Sequence, residues 1–506
     1  MKRVFSLVAV LLLMASSSFA QESPKREFRG AWLHIVGNQQ IKTMSREQIQ
    51  EWFTTTLDSL KACGCNAIIF QVRPQADAFY ESKLEPWTRF LTGEQGKAPD
   101  PYWDPLQFMI DECHARGMEL HAWLNPYRVT SNGKEQLYPG HLYFKKPHIF
   151  KRYGQQLYFD PGEPESREHT VKVIADIVNR YDVDAIHFDD YFYPYPIKNE
   201  EFHDDASFSK YAAEQGFEYW QKGDWRRHNV EMLMQQINDT IKAIKPWIRF
   251  GISPFGIHRN KAEDPEGGSD TNGLSNYDEL FADVPAWAEK GYIDYIVPQL
   301  YWKIGTKAAD YEVLIKWWND KNYKGQLYIG QSIGTFSAPD LDNPAISQTG
   351  RKMQLVRELP NVDGNVWWPG WSLVSAPRAR RNAVEPVFSL KDSLRTIYQK
   401  NIALIPAYSD LDSIAPAPVK SVKASGKSIV WSVNPTEDVM QQPHFYVVYR
   451  MPVNAKADID NSAYIVEITR KNSYVPSEKR SGKYKYIITV VDKCWNESPA
   501  SKETVW

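Results

Sequence analysis

The sequence predicts a TIM-type (β/α)8 barrel, an α/β fold, followed by a small all-β sandwich. Three observations carry this expectation. Between about residues 28 and 375, short apolar runs alternate with helix-like stretches, and eight such runs can be read. One face of run after run turns polar toward its C-terminal end, where TIM-barrel active sites lie. No glycine-rich phosphate loop follows the first run, which disfavours the rival doubly wound open sheet.

Residues 1–20 read as a signal peptide. Lys2 and Arg3 form the basic start, Val8 to Met14 the apolar stretch, and Ser18-Phe19-Ala20 a small-x-small cleavage site. Cleavage after Ala20 leaves Gln21 first rather than a cysteine, so the expected product is secreted or periplasmic and carries no lipid anchor. The apolar run is too short to span a membrane, and no later run reaches that length.

The barrel is expected over residues 26–404, with strands at 30–35, 67–73, 119–125, 185–189, 250–253, 295–301, 327–332 and 365–368. Ser45-Arg46-Glu47-Gln48 is a capping box that starts one helix, and Asp104-Pro105-Leu106-Gln107 starts another with proline in its first turn. A helix at about 379–400 closes the barrel. Residues 405–418, with Pro406, Pro416 and Pro418, read as a linker. Residues 419–506 read as all-β, most clearly at 429–431, 445–450, 463–468 and 484–491.

A length of 506 residues suits two or three domains, and 42% hydrophobic with 24% charged residues is ordinary for a globular chain. The net charge of -2 gives no electrostatic reason to expect nucleic acid or an anionic membrane as partner. Four cysteines (Cys63, Cys65, Cys113 and Cys494) with no histidine cluster suggest buried small side chains rather than a zinc site. Neither metal nor cofactor is expected, and the sequence carries no signal for an oligomeric state. The 18 Trp and 28 Tyr fit either a large core or sugar binding, because the apolar face of a pyranose stacks on aromatic rings.

His187-Phe188-Asp189-Asp190-Tyr191-Phe192-Tyr193-Pro194 holds the sharpest chemical signal. Asp189 continues the inward face of the fourth strand, and Asp190 follows in the loop. Burial and a neighbouring carboxylate push a carboxyl pKa up, so one member can act as a general acid. A usual glycosidase needs two carboxylates across the scissile bond, about 5–5.5 Å or about 6.5–9.5 Å apart. Other strand tips offer Arg73, Asn125, Ser253, Gln299 and Gln331 but no further Asp or Glu. Either a loop carboxylate such as Asp77, Glu85 or Glu279 completes a conventional pair, or the sugar's own 2-acetamido oxygen is the nucleophile. For substrate binding, Arg73, Asn125, Tyr127, Arg128 and Gln299 supply polar groups, and Trp32, Tyr193, Tyr301, Trp302, Trp368 and Trp371 supply rings. His34 and His187 face inward below the tips and read as satisfied core histidines.

Several motifs occur in order: Phe28-Arg29-Gly30-Ala31-Trp32, Phe70-Gln71-Val72-Arg73-Pro74, His121 to Arg128, Phe188 to Pro194, Gly251-Ile252-Ser253-Pro254-Phe255-Gly256 and Pro298-Gln299-Leu300-Tyr301-Trp302. Over about residues 26–400 they resemble the glycosyl hydrolase-like family ten, formerly a domain of unknown function. The resemblance implies a TIM barrel acting on glycans, and one branch resembles hydrolases of peptidoglycan strands stripped of their peptides. The paired aspartates also resemble those of bacterial O-GlcNAcases and family-20 hexosaminidases. By that analogy Asp189 orients the acetamido group and Asp190 is the acid. The rivals are a hydrolase of other polysaccharides and a glycan-binding barrel without catalysis. Tyr446-Val447-Val448-Tyr449-Arg450 and Val491 to Ser498 resemble a fibronectin type III module.

Overall fold

The computed structural model describes residues 23–321, 323–336, 348–374 and 386–506. The expected signal peptide, and the first residues of the expected closing helix, lie outside the described residues. Eight parallel strands close into a barrel: Phe28–Leu33, Ala67–Arg73, Glu119–Leu124, Ala185–Phe188, Arg249–Ile252, Tyr295–Ile296, Gln326–Ser332 and Gly364–Trp368. Closure pairs the first strand with the eighth, from Phe28 opposite Gly364 to Ala31 opposite Trp367.

The period of two sorts the strand residues into two layers. Ala31, Leu33, Ile68, Phe70, Leu120, Ala122, Leu124, Ile186 and Phe188 pack outward against the helices. Trp32, Ala67, Ile69, Trp123, Ala185, Tyr295, Tyr328 and Val366 fill the interior. Both helix starts behave as their side chains dictate. Ser45 and Gln48 form the reciprocal capping box of Arg46–Ala62, and Asp104 accepts from the Leu106 and Gln107 amides to start Pro105–Ala115. The closing helix is Pro386–Ser393, continued by a π-turn over Leu394–Tyr398.

The sixth strand is shorter than expected. Its ladder ends at Ile296, and Gln299 makes only isolated bridges to Phe255 and Gly330. Pro298 has no N–H to donate, so the regular pairing stops there.

A polar ladder runs up the barrel axis. The Trp32 Nε1–H donates to His187 Nε2 (3.2 Å), His187 Nδ1 meets the Tyr295 hydroxyl (3.0 Å), that hydroxyl meets His121 Nδ1 (2.8 Å), and His121 Nε2 meets Glu119 (2.9 Å). An indole N–H only donates and a carboxylate only accepts, so the direction is fixed from one end to the other. His187 donates from Nδ1, Tyr295 donates to His121, and His121 donates from Nε2. Both imidazoles are then neutral, in keeping with burial, which lowers both pKa values.

C-terminal to the barrel lie two antiparallel sheets, one of three strands and one of four. Trp431, Val448, Tyr486, Ile488 and Trp506 pack between them. The opposite face of the four-stranded sheet, with Phe445, Val447, Tyr449 and Ile487, joins the barrel's interior cluster at the N-terminal ends of the strands. Being covered on both faces explains why Phe445–Pro452 reads as a nearly continuous apolar run. The stretch expected as a linker is part of this contact: Ile405 and Tyr408 are buried, and the Tyr408 amide donates to the Cys494 carbonyl (2.9 Å). Trp495 Nε1 donates to Glu119, and His444 pairs with Asp184 (3.1 Å), so the C-terminal sheets supply partners to two carboxylates buried in the barrel.

Removing the indole N–H from Glu119 leaves that carboxylate short of a buried donor, at a cost of about 1–3 kcal/mol. Trp495→Phe is therefore expected to lower the thermal unfolding midpoint by several degrees. An unchanged midpoint in calorimetry would contradict the contact's role.

Candidate active site

A cavity of about 420 Å³ opens at the C-terminal ends of the strands. Asp189 and Asp190 both line it, as do Trp32, Arg128, Gln299, Tyr301 and Trp368 among the residues expected to bind substrate. Both aspartates are 4% exposed. They are the only carboxylates in the lining among the described residues, and Arg128 is the only permanent cation there.

The two carboxyl groups meet different surroundings. Asp189 accepts from Trp123 Nε1 (3.1 Å) and from Asn125 Nδ2 (3.0 and 3.2 Å). Burial raises its pKa, but the Arg128 charge and these donors favour its ionised form. Asp190 is pushed up to about 6, first by burial and then by the charge of Asp189. The Tyr195 hydroxyl donates to Asp190, and a Gln299 side-chain contact also favours its carboxylate. The pair therefore contains a carboxyl held ready to ionise near neutrality beside one already supplied with donors.

Asn125 shapes the rim as well as holding Asp189. Its Oδ1 accepts from the Arg128 amide (2.7 Å) and the Tyr127 amide (3.3 Å), folding the Asn125-Pro126-Tyr127-Arg128 turn. The Arg128 guanidinium donates to the Pro74 carbonyl (2.9 Å) and lies 4.9 Å from the Tyr191 ring centre.

Several expected substrate contacts lie elsewhere. Arg73 does not line the cavity: a register shift between Gln71 and Arg73 re-aims it, and its Nε and Nη2 donate to the two carboxylate oxygens of Glu85 (2.7 and 2.6 Å). Tyr127 is fully buried behind the rim. Tyr193 is buried with its hydroxyl on Asp204 (3.3 Å) and Phe202 and Phe281 against its ring. Trp302 packs on Phe255. Trp371 turns into the helix layer, where it stacks on Trp52 with ring centres 4.4 Å apart. Asn125 is buried beneath Asp189 rather than lining the cavity.

None of the suggested loop carboxylates reaches the cavity. Glu85 is held down to about 2 by Arg73, against the opposing effect of burial. Asp77 is pushed up to about 7 by burial and accepts from Gln95 (2.9 Å). Glu279 accepts from the Ser275 amide and hydroxyl (2.7 Å each).

Conversely, Trp123, Tyr191, Tyr195, Gln71 and His34 line the cavity although none was singled out for it. The inward alternation of strands two and three already marks Gln71 and Trp123. The Tyr195 contact depends on the path of the loop, which no spacing rule reveals. His187 is the satisfied core histidine expected, but His34 is not: it lines the cavity, and its Nδ1 has no partner among the described residues.

Glu119, Asp184 and His444 are close enough to hold a metal ion. Their atoms are already bonded to Arg249, His121, Trp495 and His114, and the Arg249 guanidinium opposes a cation there. The four cysteines are free thiols, all buried.

Fold and site together define a (β/α)8 barrel with a paired-carboxyl cavity at its C-terminal mouth. The chain belongs to the glycosyl hydrolase-like 10 family, whose sequence model matches residues 27–345. It is 38% identical to "Glycosyl hydrolase YngK" of Bacillus subtilis (strain 168), covering 99% of this chain and 97% of that relative. It is 36% identical to "Glycosyl hydrolase DigH" of Escherichia coli (strain K12), covering 68% and 83% respectively. Among solved structures, the PgaB (BpsB) glycoside hydrolase domain from Bordetella bronchiseptica aligns with a TM-score of 0.46 at 11% identity, covering 73% of this chain and 99% of that one. Membership in this family supports a glycoside hydrolase-type function.

The raised pKa of Asp190 has a consequence for stability. An unfolded Asp titrates near ~3.9, so between pH ~4 and the folded value of about 6 the folded state holds the proton more tightly. Stability is therefore lost as pH rises through that window. Asp190→Asn is expected to be more stable than wild type at pH 7, by on the order of 2–3 kcal/mol, with the difference vanishing below pH ~4. Denaturant unfolding at both pH values checks this, and a destabilised variant at pH 7 would contradict it.

Proposed function

We propose that the protein is an exported glycoside hydrolase acting on glycans that contain N-acetylhexosamine, with the strands of peptidoglycan as the favoured substrate. The observation that carries this reading is the adjacent carboxyl pair in a cavity whose described lining holds no third carboxylate. Conventional retaining and inverting mechanisms need two carboxyls flanking the scissile bond, and no carboxyl beyond this adjacent pair lines the cavity among the described residues. Two neighbouring carboxyls suffice when the substrate supplies the nucleophile. Asp189, held by Trp123 and Asn125, accepts the acetamido N–H and keeps its carbonyl oxygen aimed at the anomeric carbon. Asp190, with its pKa near 6, protonates the leaving glycosidic oxygen. The carbonyl oxygen closes onto the anomeric carbon as the glycosidic bond breaks. Water then opens the cyclic intermediate, and Asp190, now ionised, takes the proton of that water.

The aromatic lining suits pyranose faces, with Trp32, Trp123, Tyr301 and Trp368 around the cavity. Arg128 suits the lactyl carboxylate of muramic acid. The basic and apolar start of the chain supports export, which would bring the enzyme to the cell wall. No helix among the described residues is long and apolar enough to cross a membrane. The C-terminal sheets, whose sequence resembles a fibronectin type III module, serve in this reading as a fixed support for the barrel's base.

Digestion of peptide-free and peptide-bearing glycan strands, followed by mass analysis, tests the substrate. Cleavage of peptide-free strands is expected, with Asp190→Asn reducing turnover by roughly 10²–10⁴-fold. Cleavage of another polysaccharide alone would overturn the cell-wall reading.

A further inference from the structure

Gln71 is fully buried and lines the cavity, yet only half of its amide is used. Its Oε1 accepts from the Ile35 amide (2.9 Å) and the Val36 amide (2.8 Å). These two donors fix the orientation of the group, because a flipped amide would set its NH2 against two N–H groups. Nε2 is buried and has no partner among the described residues. His34, which precedes Ile35 in the chain, also lines the cavity, and its Nδ1 is likewise buried without a partner among the described residues. Burial lowers the His34 pKa to about 4, so its ring is neutral at pH 7. The ring stands 4.8 Å from that of Trp368, a candidate sugar platform in the same cavity.

A buried donor left unmade costs about as much as a hydrogen bond contributes, so a fixed, empty donor in a cavity wall is suited to an acceptor on a ligand. The donor is neutral and the adjoining histidine uncharged, which suits a hydroxyl rather than an ionic group. We propose that Gln71 is a substrate-positioning residue: its Nε2–H donates to a hydroxyl of the sugar seated on Trp368, with neutral His34 as the second polar group of the same wall. This rests on the glycan-hydrolase reading above and adds a hydroxyl-reading wall to a site whose carboxyl pair handles the acetamido group and the leaving oxygen.

Gln71→Glu is the informative variant. With the new carboxyl ionised, one of its oxygens keeps the two backbone amides satisfied while the donor becomes an acceptor, and a pH series of the binding measurement secures that state. Gln71→Leu removes both halves and leaves the Ile35 and Val36 amides unpaired, so it serves only as a comparison for folding. Binding is measured by calorimetry with chitin-type and plain hexose oligosaccharides and their monodeoxy analogues, and turnover on whichever sugar is cleaved. For Gln71→Glu with an unchanged unfolding midpoint, affinity is expected to fall about ten-fold or more. One monodeoxy analogue is expected to bind wild type weakly and to lose nothing further in the variant. Wild-type affinity in Gln71→Glu, or equal additional losses across the whole monodeoxy series, overturns the proposal. Wild-type binding of plain hexoses but not of N-acetylhexosamines would sink the substrate reading while leaving Gln71 to be judged by its own variant. Binding of no sugar in the panel overturns both.

Discussion

A buried carboxylate at the base of the barrel sets the terms for much of this structure. Glu119 starts the third strand, is fully buried, and would be intolerable there without donors. Arg249, His121 and Trp495 supply them from the fifth strand, its own strand and the C-terminal sheets. The requirement propagates upward. Because His121 must donate to Glu119, it must accept from Tyr295, which must accept from His187, whose free nitrogen accepts from Trp32. The orientation of a tryptophan that lines the cavity is thus fixed by a carboxylate at the opposite end of the barrel. The C-terminal sheets are one wall of that arrangement rather than an appendage.

At the mouth the same physics separates two chemically identical side chains. Asp189 has indole and amide donors and the Arg128 charge nearby. Asp190 lies in the field of Asp189, with a phenol as donor. Removal from water raises both pKa values, and the neighbours decide which carboxyl more readily keeps a proton. Adjacent residues in sequence thereby take up unlike protonation roles, as the proposed chemistry requires.

The barrel was legible because strand alternation and helix capping are local rules. The eight apolar runs fall on the eight strands, and the Ser45 and Asp104 caps form as read. Alternation also carries Gln71, Trp123 and Asp189 to the cavity wall. What was not legible came from events that break the period of two. A register shift turns Arg73 to Glu85, and Pro298 ends the sixth ladder. Ring-rich loops hid a different problem. Tyr193 and Trp371 carry the same rings as Tyr301 and Trp368, but burial against Phe202 and Trp52 is decided by loop paths and helix packing. Likewise, the proline-bearing stretch near 405 looked like a spacer because sequence shows no sign of the sheet that covers it.

Two adjacent carboxyls are proposed to act on a sugar that carries its own nucleophile. The most direct test is turnover across one glycan substrate whose 2-acetamido methyl is replaced in turn by mono-, di- and trifluoromethyl. Each fluorine weakens the carbonyl oxygen as a nucleophile while leaving the N–H that Asp189 is proposed to hold. A steep, monotonic fall in kcat along the series is expected if the acetamido oxygen is the nucleophile. A flat series would contradict that role and require a nucleophile from the protein.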